Sequence, residues 1–189
     1  MIILGGFFYM NFLKKTFQSF EDIIKKELDS VQKVIKTPGE AVYNNCKYPI
    51  ENQTDNFLSG IPEYSSYSWD NETKTAIITL SKNENLTVKR GGCDQFDFYI
   101  TLQKNNSLIN LNNKEEAIKD LLNHAEKLFE AEDYSRFLTA LQNGDYKIDK
   151  YSDELRMVFN INDFCFSEIY MYNNKVKNIS MIKIGYTKC

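Results

Sequence analysis

Residues 85–103 read NLTVKRGGCDQFDFYITLQ, a stretch that predicts two β-strands joined by a short turn. The second run, Gln95–Gln103, alternates apolar and polar side chains, and a period of two is typical of a half-buried strand. Between the runs, Gly91 and Gly92 permit the positive φ that a tight turn or a bulge requires. Cys93 follows them directly. Whether this cysteine is a disulfide partner, a nucleophile or a metal ligand separates the classes of function open to the chain.

Other strand-sized runs, separated by short polar turns, lie on both sides of this stretch. They are Glu63–Trp69, Lys74–Leu80, Glu154–Ile161, Phe164–Tyr172 and Lys175–Tyr186. Runs of this length with turns this short predict antiparallel β-meanders, one on each side of the middle of the chain.

Helical spacing of apolar residues marks three further segments. The first, Asn11–Lys36, is strongly amphipathic. The second begins after Asn112 or Asn113, either of which suits the N-cap position, and its apolar stripe runs from Ile118 to Phe129.

The third helix is predicted over Tyr134–Gln142, with Asp133 as its cap and Asn143-Gly144 as its end. With the second helix it makes an αα-hairpin. The order of elements therefore predicts an α+β fold. An N-terminal amphipathic helix precedes an antiparallel β-meander, a central αα-hairpin and a C-terminal antiparallel β-meander, packed as one domain with the helices on one face of the sheet.

A chain of 189 residues is most simply one domain. We expect that domain to cover residues 11–189, after an apolar extension over residues 1–10. The extension is either an addition upstream of a start at Met10 or a remnant export signal, because Lys14 and Lys15 follow the apolar residues instead of preceding them. It is too short for a stable membrane span, which takes about 20 residues.

The charge pattern argues against a nucleic-acid partner. The formal net charge is −3 and the pI is near 5.3, whereas phosphate binding requires Lys and Arg clustered on one surface. A single histidine and the lack of a Cys-x-x-Cys pair predict no metal site. Without the glycine spacing of a phosphate-binding loop, no cofactor is expected either.

Four cysteines, Cys46, Cys93, Cys165 and Cys189, allow two interpretations. In a periplasmic or secreted protein we expect Cys46 to pair with Cys93, because both lie in turn-rich surroundings. Cys165 is then a buried or outward-facing thiol, and Cys189 is frayed at the end of the chain. In a cytoplasmic protein all four are reduced thiols.

A catalytic role for Cys93 requires a base that makes its thiolate. The candidates are His124, the only histidine, and Asp94, which follows Cys93 directly. His124 lies in the middle of a predicted helix, and no local pattern brings it to Cys93. A small hydrolase that uses Cys93 or an acidic residue is therefore the alternative hypothesis.

The leading hypothesis is a non-enzymatic protein-binding module, such as a small bacterial inhibitor or immunity-type protein that acts by protein–protein contact. Tyr and Trp side chains interleaved with serine are typical of a contact surface. The predicted surface consists of Tyr64, Tyr67, Trp69, Gly91, Gly92 and Asp94. A structural or accessory domain whose first helix packs on another chain is a further alternative.

Overall fold

The computed structural model describes residues 46–189, in which eight β-strands and two α-helices follow one another. The strands are β1 Tyr67–Asp70, β2 Thr75–Ser81, β3 Glu84–Gly91, β4 Phe96–Asn105, β5 Tyr146–Lys150, β6 Glu154–Phe159, β7 Phe166–Asn174 and β8 Ile179–Lys188. The helices are α1 Glu115–Leu128 and α2 Ala131–Asn143. The extension over 1–10, the helix Asn11–Lys36 and the domain boundary at residue 11 lie outside the described residues.

All eight strands belong to one antiparallel sheet in the order β1-β2-β3-β4-β8-β7-β6-β5. Each predicted meander forms one half, and the last strands of the two halves, β4 and β8, pair along their whole length. The prediction of a mixed α+β protein with antiparallel strands is confirmed for the part of the chain that the structure describes. The continuous sheet puts residues from both halves side by side at its centre.

Alternation along the strands gives the sheet one buried face. On β4, Phe98, Ile100 and Leu102 are buried, while Asp97 and Tyr99 point to the opposite face. The neighbouring strand β8 contributes further residues to the same core, which are Ile182, Ile184 and Tyr186. Rings from strands and helices meet there, with Phe98 and Phe129 centred 4.8 Å apart.

Both helices cover this buried face. Helix α1 turns Ile118, Leu121, Ala125 and Leu128 toward the sheet, as its helical spacing predicts. Helix α2 ends at Gly144, which has the left-handed conformation (φ 73°) typical of a helix end.

The helix starts differ from the predictions. Lys114 occupies the N-cap position of α1, so neither Asn112 nor Asn113 caps it. Asp133 lies inside the first turn of α2 and is buried. Its Oδ2 accepts hydrogen bonds from Tyr186 Oη at 2.6 Å and Lys188 Nζ at 2.7 Å, so this carboxylate joins the helix to β8 instead of capping it.

Two strand predictions also change. Strand β5 was not predicted, because only Tyr146 and Ile148 of its five residues have large apolar side chains and the other three are charged; pairing with β6 creates it. The predicted strand Glu63–Trp69 starts only at Tyr67, after a short 3₁₀ turn over Pro62–Tyr64. Within residues 46–189, no helix is long and apolar enough to cross a membrane.

Candidate functional site

The sheet face opposite the two helices carries a connected set of polar and aromatic side chains. We call it the open face. It is defined by Lys89, Asp97, Tyr99, Thr187, Lys183, Glu168, Tyr170, Phe166 and Arg156, which alternate with core residues on β3, β4, β8, β7 and β6. The two halves of the sheet each supply part of it.

A chain of hydrogen bonds fixes its first part. Lys89 Nζ donates to Asp97 Oδ2 at 2.8 Å, and Thr187 Oγ1 donates to Asp97 Oδ1 at 2.8 Å. A third bond of 2.9 Å joins Tyr99 Oη to Thr187 Oγ1, and since the threonine proton is used on Asp97, Tyr99 is the donor. Burial raises the pKa of Tyr99, so the phenol keeps this proton at neutral pH.

A buried carboxylate organises the second part. Glu168 is only 3% exposed, although it lies on the open face. Its Oε2 accepts from Arg156 Nε at 2.6 Å, and its Oε1 forms an ion pair with Lys183 Nζ at 2.5 Å. Because a buried charge without a partner is costly, this pairing holds all three side chains in one arrangement.

Aromatic rings flank the two cations. Lys183 Nζ lies 4.8 Å from the ring centroid of Tyr99 and 5.9 Å from that of Tyr170. Arg156 lies 5.2 Å from the ring centroid of Phe166. Cation–π contacts of this kind add to the ion pairs, so both cationic groups have fixed surroundings.

Gly185 makes the close packing at the centre of this face possible. It pairs with Tyr99 on one side and with Glu168 on the other. A Cβ atom at position 185 would overlap the Tyr99 ring and the Phe98 carbonyl oxygen. The absence of a side chain therefore lets the Tyr99 ring lie against β8 beside the Glu168 cluster.

A groove of about 920 Å³ continues the open face past Lys89 and Asp97, and it includes Gly91 and Gly92 in its wall. The side chain of Gln53 closes one side of this groove. Its Nε2 donates to Gly92 O at 2.9 Å, and its Oε1 accepts from Gly92 N–H at 2.9 Å. Gly92 has φ 149°, and a Cβ there would overlap the Gln95 carbonyl oxygen, so only glycine fits this turn.

The predicted pair Cys46 and Cys93 forms a disulfide, with Cα atoms 4.7 Å apart. This bond and the hydrogen bond from Tyr48 N–H to Cys93 O, at 3.0 Å, hold the segment that carries Gln53 against the hairpin. The disulfide therefore fixes one wall of the groove.

A second disulfide joins Cys165 to Cys189, whose Cα atoms are 5.9 Å apart. The predictions of a free thiol at Cys165 and a frayed Cys189 were wrong. Long-range pairing explains the difference, because Cys165 N–H donates to Thr187 O at 2.9 Å and thereby brings β7 to the end of β8. Sequence spacing alone carries no sign of this contact.

The structure does not bring the candidate catalytic residues together. Cys93 is in a disulfide and has no thiol to ionise. His124 lies on α1 beside Glu84, at the opposite end of β3 from the Gly91-Gly92 turn. The two ends of β3 are roughly 20 Å apart, because a strand rises about 3.3 Å per residue. A hydrogen bond of 2.7 Å joins His124 Nδ1 to Tyr64 Oη, and burial lowers the pKa of His124. Asp94 remains in the exposed turn beside Cys93.

The predicted contact surface divides into two regions. Tyr64 is fully buried beneath α1, so it is a core residue and cannot contact a partner in this conformation. Tyr67 and Trp69 lie at the β1 edge on the helix side, where Tyr67 is 38% exposed and Trp69 packs edge-on against Phe57. Gly91 and Gly92 belong to the groove on the other face.

The Glu168 cluster was not predicted from the sequence. Glu168, Arg156 and Lys183 occupy outward positions in three strands that the sequence predicts. A polar residue at such a position is ordinarily solvated, so nothing in the sequence distinguished these three. A register for the C-terminal meander, had it been known, would have placed Tyr170 between Arg156 and Lys183.

Within residues 46–189 there is no group of three or more His, Cys, Asp or Glu side chains arranged to hold a metal ion. Comparison with known protein families, characterised proteins and solved structures finds no match to this chain. The geometry of the open face is therefore the basis for a functional proposal.

Proposed function

We propose that this chain is a non-enzymatic protein-binding module that acts outside the cytoplasm, as an inhibitor or immunity-type protein would. The open face is its contact surface. The observation that carries the proposal is the Glu168 cluster, in which a buried carboxylate holds Arg156 and Lys183 among the rings of Tyr99 and Tyr170.

The residue types support a protein partner. Tyr and Arg are enriched among the residues that dominate the binding energy of protein interfaces. Long cationic side chains ordinarily lose rotamer freedom on binding, which weakens association. Here the ion pairs to Glu168 restrain Arg156 and Lys183 before any partner arrives, so less of that freedom remains to be lost.

The two disulfides support an oxidising compartment. Disulfides persist in secreted and periplasmic proteins and are rare in the cytosol of most organisms. Cys46–Cys93 and Cys165–Cys189 use every cysteine of the chain. We therefore favour the periplasmic or secreted alternative over the cytoplasmic one.

The hydrolase hypothesis gains less support. A nucleophilic Cys93 needs a free thiolate, which its disulfide removes. The buried carboxylates of Glu168 and Asp133 each have a cationic partner within 2.7 Å, which favours a structural role over proton transfer. The accessory-domain hypothesis depends on the helix Asn11–Lys36, outside the described residues.

Site-specific photo-crosslinking in the producing cell tests the contact surface. A benzophenone amino acid replaces Thr101, which lies on the open face beside Tyr99, or Val176, which is 98% exposed in the β7–β8 turn. We expect one adduct of defined mass from position 101 and none from position 176. A third probe at Tyr67 samples the β1 edge that the sequence favoured.

The adduct identifies the partner, and purified partner then allows an affinity measurement. We expect Arg156→Ala or Tyr170→Ala to weaken binding at least about tenfold, while Val176→Ala leaves the affinity unchanged. Unchanged affinity in both open-face variants, or crosslinks from Tyr67 alone, would contradict the proposed surface.

A further inference from the structure

Strand β5, Tyr146–Lys150, is the outermost strand of the C-terminal half of the sheet. It pairs with β6 on one side, and within residues 46–189 no strand pairs with its other side. Ile148 at its centre is 47% exposed. A free edge carries unpaired backbone donors and acceptors, which are a template for another strand.

The hydrogen-bond pattern shows which residues point outward. Tyr151 N–H donates to Glu154 O at 2.9 Å, so Tyr151 is hydrogen-bonded to the chain at the start of β6. In an antiparallel pair every second residue of a strand is bonded to the partner strand in this way. Lys147 and Asp149 therefore direct their backbone groups to β6. The backbone groups of Ile148, halfway between them, point to the free edge.

We propose that this edge binds a second copy of the same chain, with the two β5 strands antiparallel about a two-fold axis at Ile148. The strand is self-complementary in this register. Lys147 of one protomer lies opposite Asp149 of the second protomer on the open side of the sheet, and the two-fold axis generates a second, identical pair. Opposite charges directly across an antiparallel pair are stabilising, and like charges are destabilising. The two Ile148 side chains meet on the helix side.

The other symmetric registers that keep the outward groups bonded are poorer. Centring the pair on Lys147, Asp149 or Lys150 places two like charges face to face. Centring it on Tyr146 requires Gly144 to become a strand residue, whereas it has φ 73° and ψ 24° and ends α2. Only the register centred on Ile148 uses the whole strand and pairs every charge on the open side.

Charged residues on an edge ordinarily prevent pairing, and that effect is the competing explanation for Lys147 and Asp149. Their order decides between the two explanations. Two residues of the same sign would repel a second copy, whereas one lysine and one aspartate placed symmetrically about Ile148 attract it. The β5 edge adjoins the open face, where Asp149 lies opposite Arg156, but the pairing of two copies does not depend on the proposed open-face contact.

Charge exchange in the full chain tests the pairing. Lys147→Glu places two acids opposite each other, and Asp149→Lys places two lysines opposite each other. We expect each variant alone to raise the dimer dissociation constant at least about tenfold in sedimentation velocity. Mixing the two restores both opposite-charge pairs, so a heterodimer forms, which ¹⁵N labelling of one variant identifies by native mass spectrometry.

Matched controls separate this effect from net charge. Lys177→Glu and Glu126→Lys change the net charge equally at exposed positions away from β5, and we expect them to dimerise like the wild type. Ile148→Pro removes an outward N–H without touching the β6 ladder, so it gives a folded monomer. A wild-type chain that stays monomeric up to about 1 mM, or single charge variants that dimerise as well as their mixture, would overturn the proposal.

Discussion

Within residues 46–189, each face of the sheet buries one carboxylate, and the two carboxylates have different surroundings. On the helix-covered face, Asp133 accepts from Tyr186 Oη at 2.6 Å and Lys188 Nζ at 2.7 Å, next to the aromatic core. On the open face, Glu168 holds Arg156 and Lys183, which remain partly exposed. The same interaction therefore joins two elements on one face and arranges a surface on the other.

This contrast separates the residues that stabilise the fold from those of the proposed contact surface. Apolar side chains on the covered face are almost completely removed from water, and their burial is the main favourable contribution to folding. The open face gains little from burial, yet its side chains are linked to one another by hydrogen bonds and ion pairs. Substitutions on the two faces are therefore expected to affect different measurements.

The largest expected effect comes from two neighbouring residues of β4. Phe98 is fully buried among aromatic rings, including Phe57 and Phe129, whereas Tyr99 lies on the open face. We expect Phe98→Ala to lower the free energy of unfolding by about 3–5 kcal/mol. Tyr99→Ala loses a half-buried ring and one hydrogen bond, about 1–2 kcal/mol.

Urea unfolding of both variants measures this difference. We expect binding to give the reverse order, because Tyr99→Ala removes a residue of the proposed contact surface while Phe98→Ala leaves the open face in place wherever the protein is folded. Equal losses of stability at the two positions would mean that the open face is part of the core.

How much of this contrast the sequence predicts depends on the range of the interactions involved. Alternation on β4 and spacing on α1 are local, so the covered face was predicted closely, including the residues from Ile118 to Leu128. The Cys46–Cys93 disulfide joins residues 47 positions apart, but its prediction also rests on a local pattern, the turn-rich segment around each cysteine. Local patterns are readable because the residues that make them are close in the chain.

The open face depends on pairings between distant residues, which local patterns do not encode. Glu168 meets Lys183 only because β7 and β8 pair in one particular register, and Tyr99 meets both only because β4 joins β8. The burial of Tyr64 likewise depends on a distant part of the chain. Its serine-rich neighbours predicted an exposed surface, whereas the packing of α1 buries it.

A smaller loss of stability is expected at Gly185, which packs against both the Tyr99 ring and the backbone of Phe98. A Cβ atom there would overlap the Tyr99 ring on the open face and the Phe98 carbonyl oxygen of the neighbouring strand. We expect Gly185→Ala to lower the free energy of unfolding by about 1–3 kcal/mol, because either strand β4 or the Tyr99 ring has to move to make room for the added methyl group. If the ring moves, the Tyr99–Thr187 hydrogen bond breaks as well.

Two readouts locate the displacement caused by Gly185→Ala. Urea unfolding gives the stability, and the NMR signals of Tyr99 and Lys183 report the open face. Gly60→Ala is a poor control because of its φ of 84°, so Ser68→Ala on the edge strand β1 serves instead. A variant as stable as the wild type with unshifted Tyr99 signals would contradict the packing described.

The smallest expected effect is a pH dependence that belongs to the covered face alone. His124 on α1 bonds Tyr64, and burial lowers its pKa below the ordinary value of 6.5, with Lys127 acting in the same direction. The carboxylates of Asp120, Glu63 and Glu84 oppose this shift without cancelling it. The folded protein therefore holds the imidazole neutral at a pH where the unfolded chain protonates it.

The sign of the effect follows from this difference in proton binding. Above about pH 6.5 the imidazole is neutral in both states, and the contribution to stability is fully present. As the pH falls below 6.5, the unfolded chain takes up the proton first, so stability decreases until the folded pKa is reached.

Because His124 is the only histidine, unfolding measured at about pH 7.5 and about pH 5.5 isolates it from most carboxylates. His124→Asn keeps an acceptor near the Nδ1 position without a titrating ring, so the decrease disappears in that variant. A decrease of equal size in His124→Asn would assign it to carboxylates instead of the imidazole, and it would contradict the pH response that we ascribe to His124.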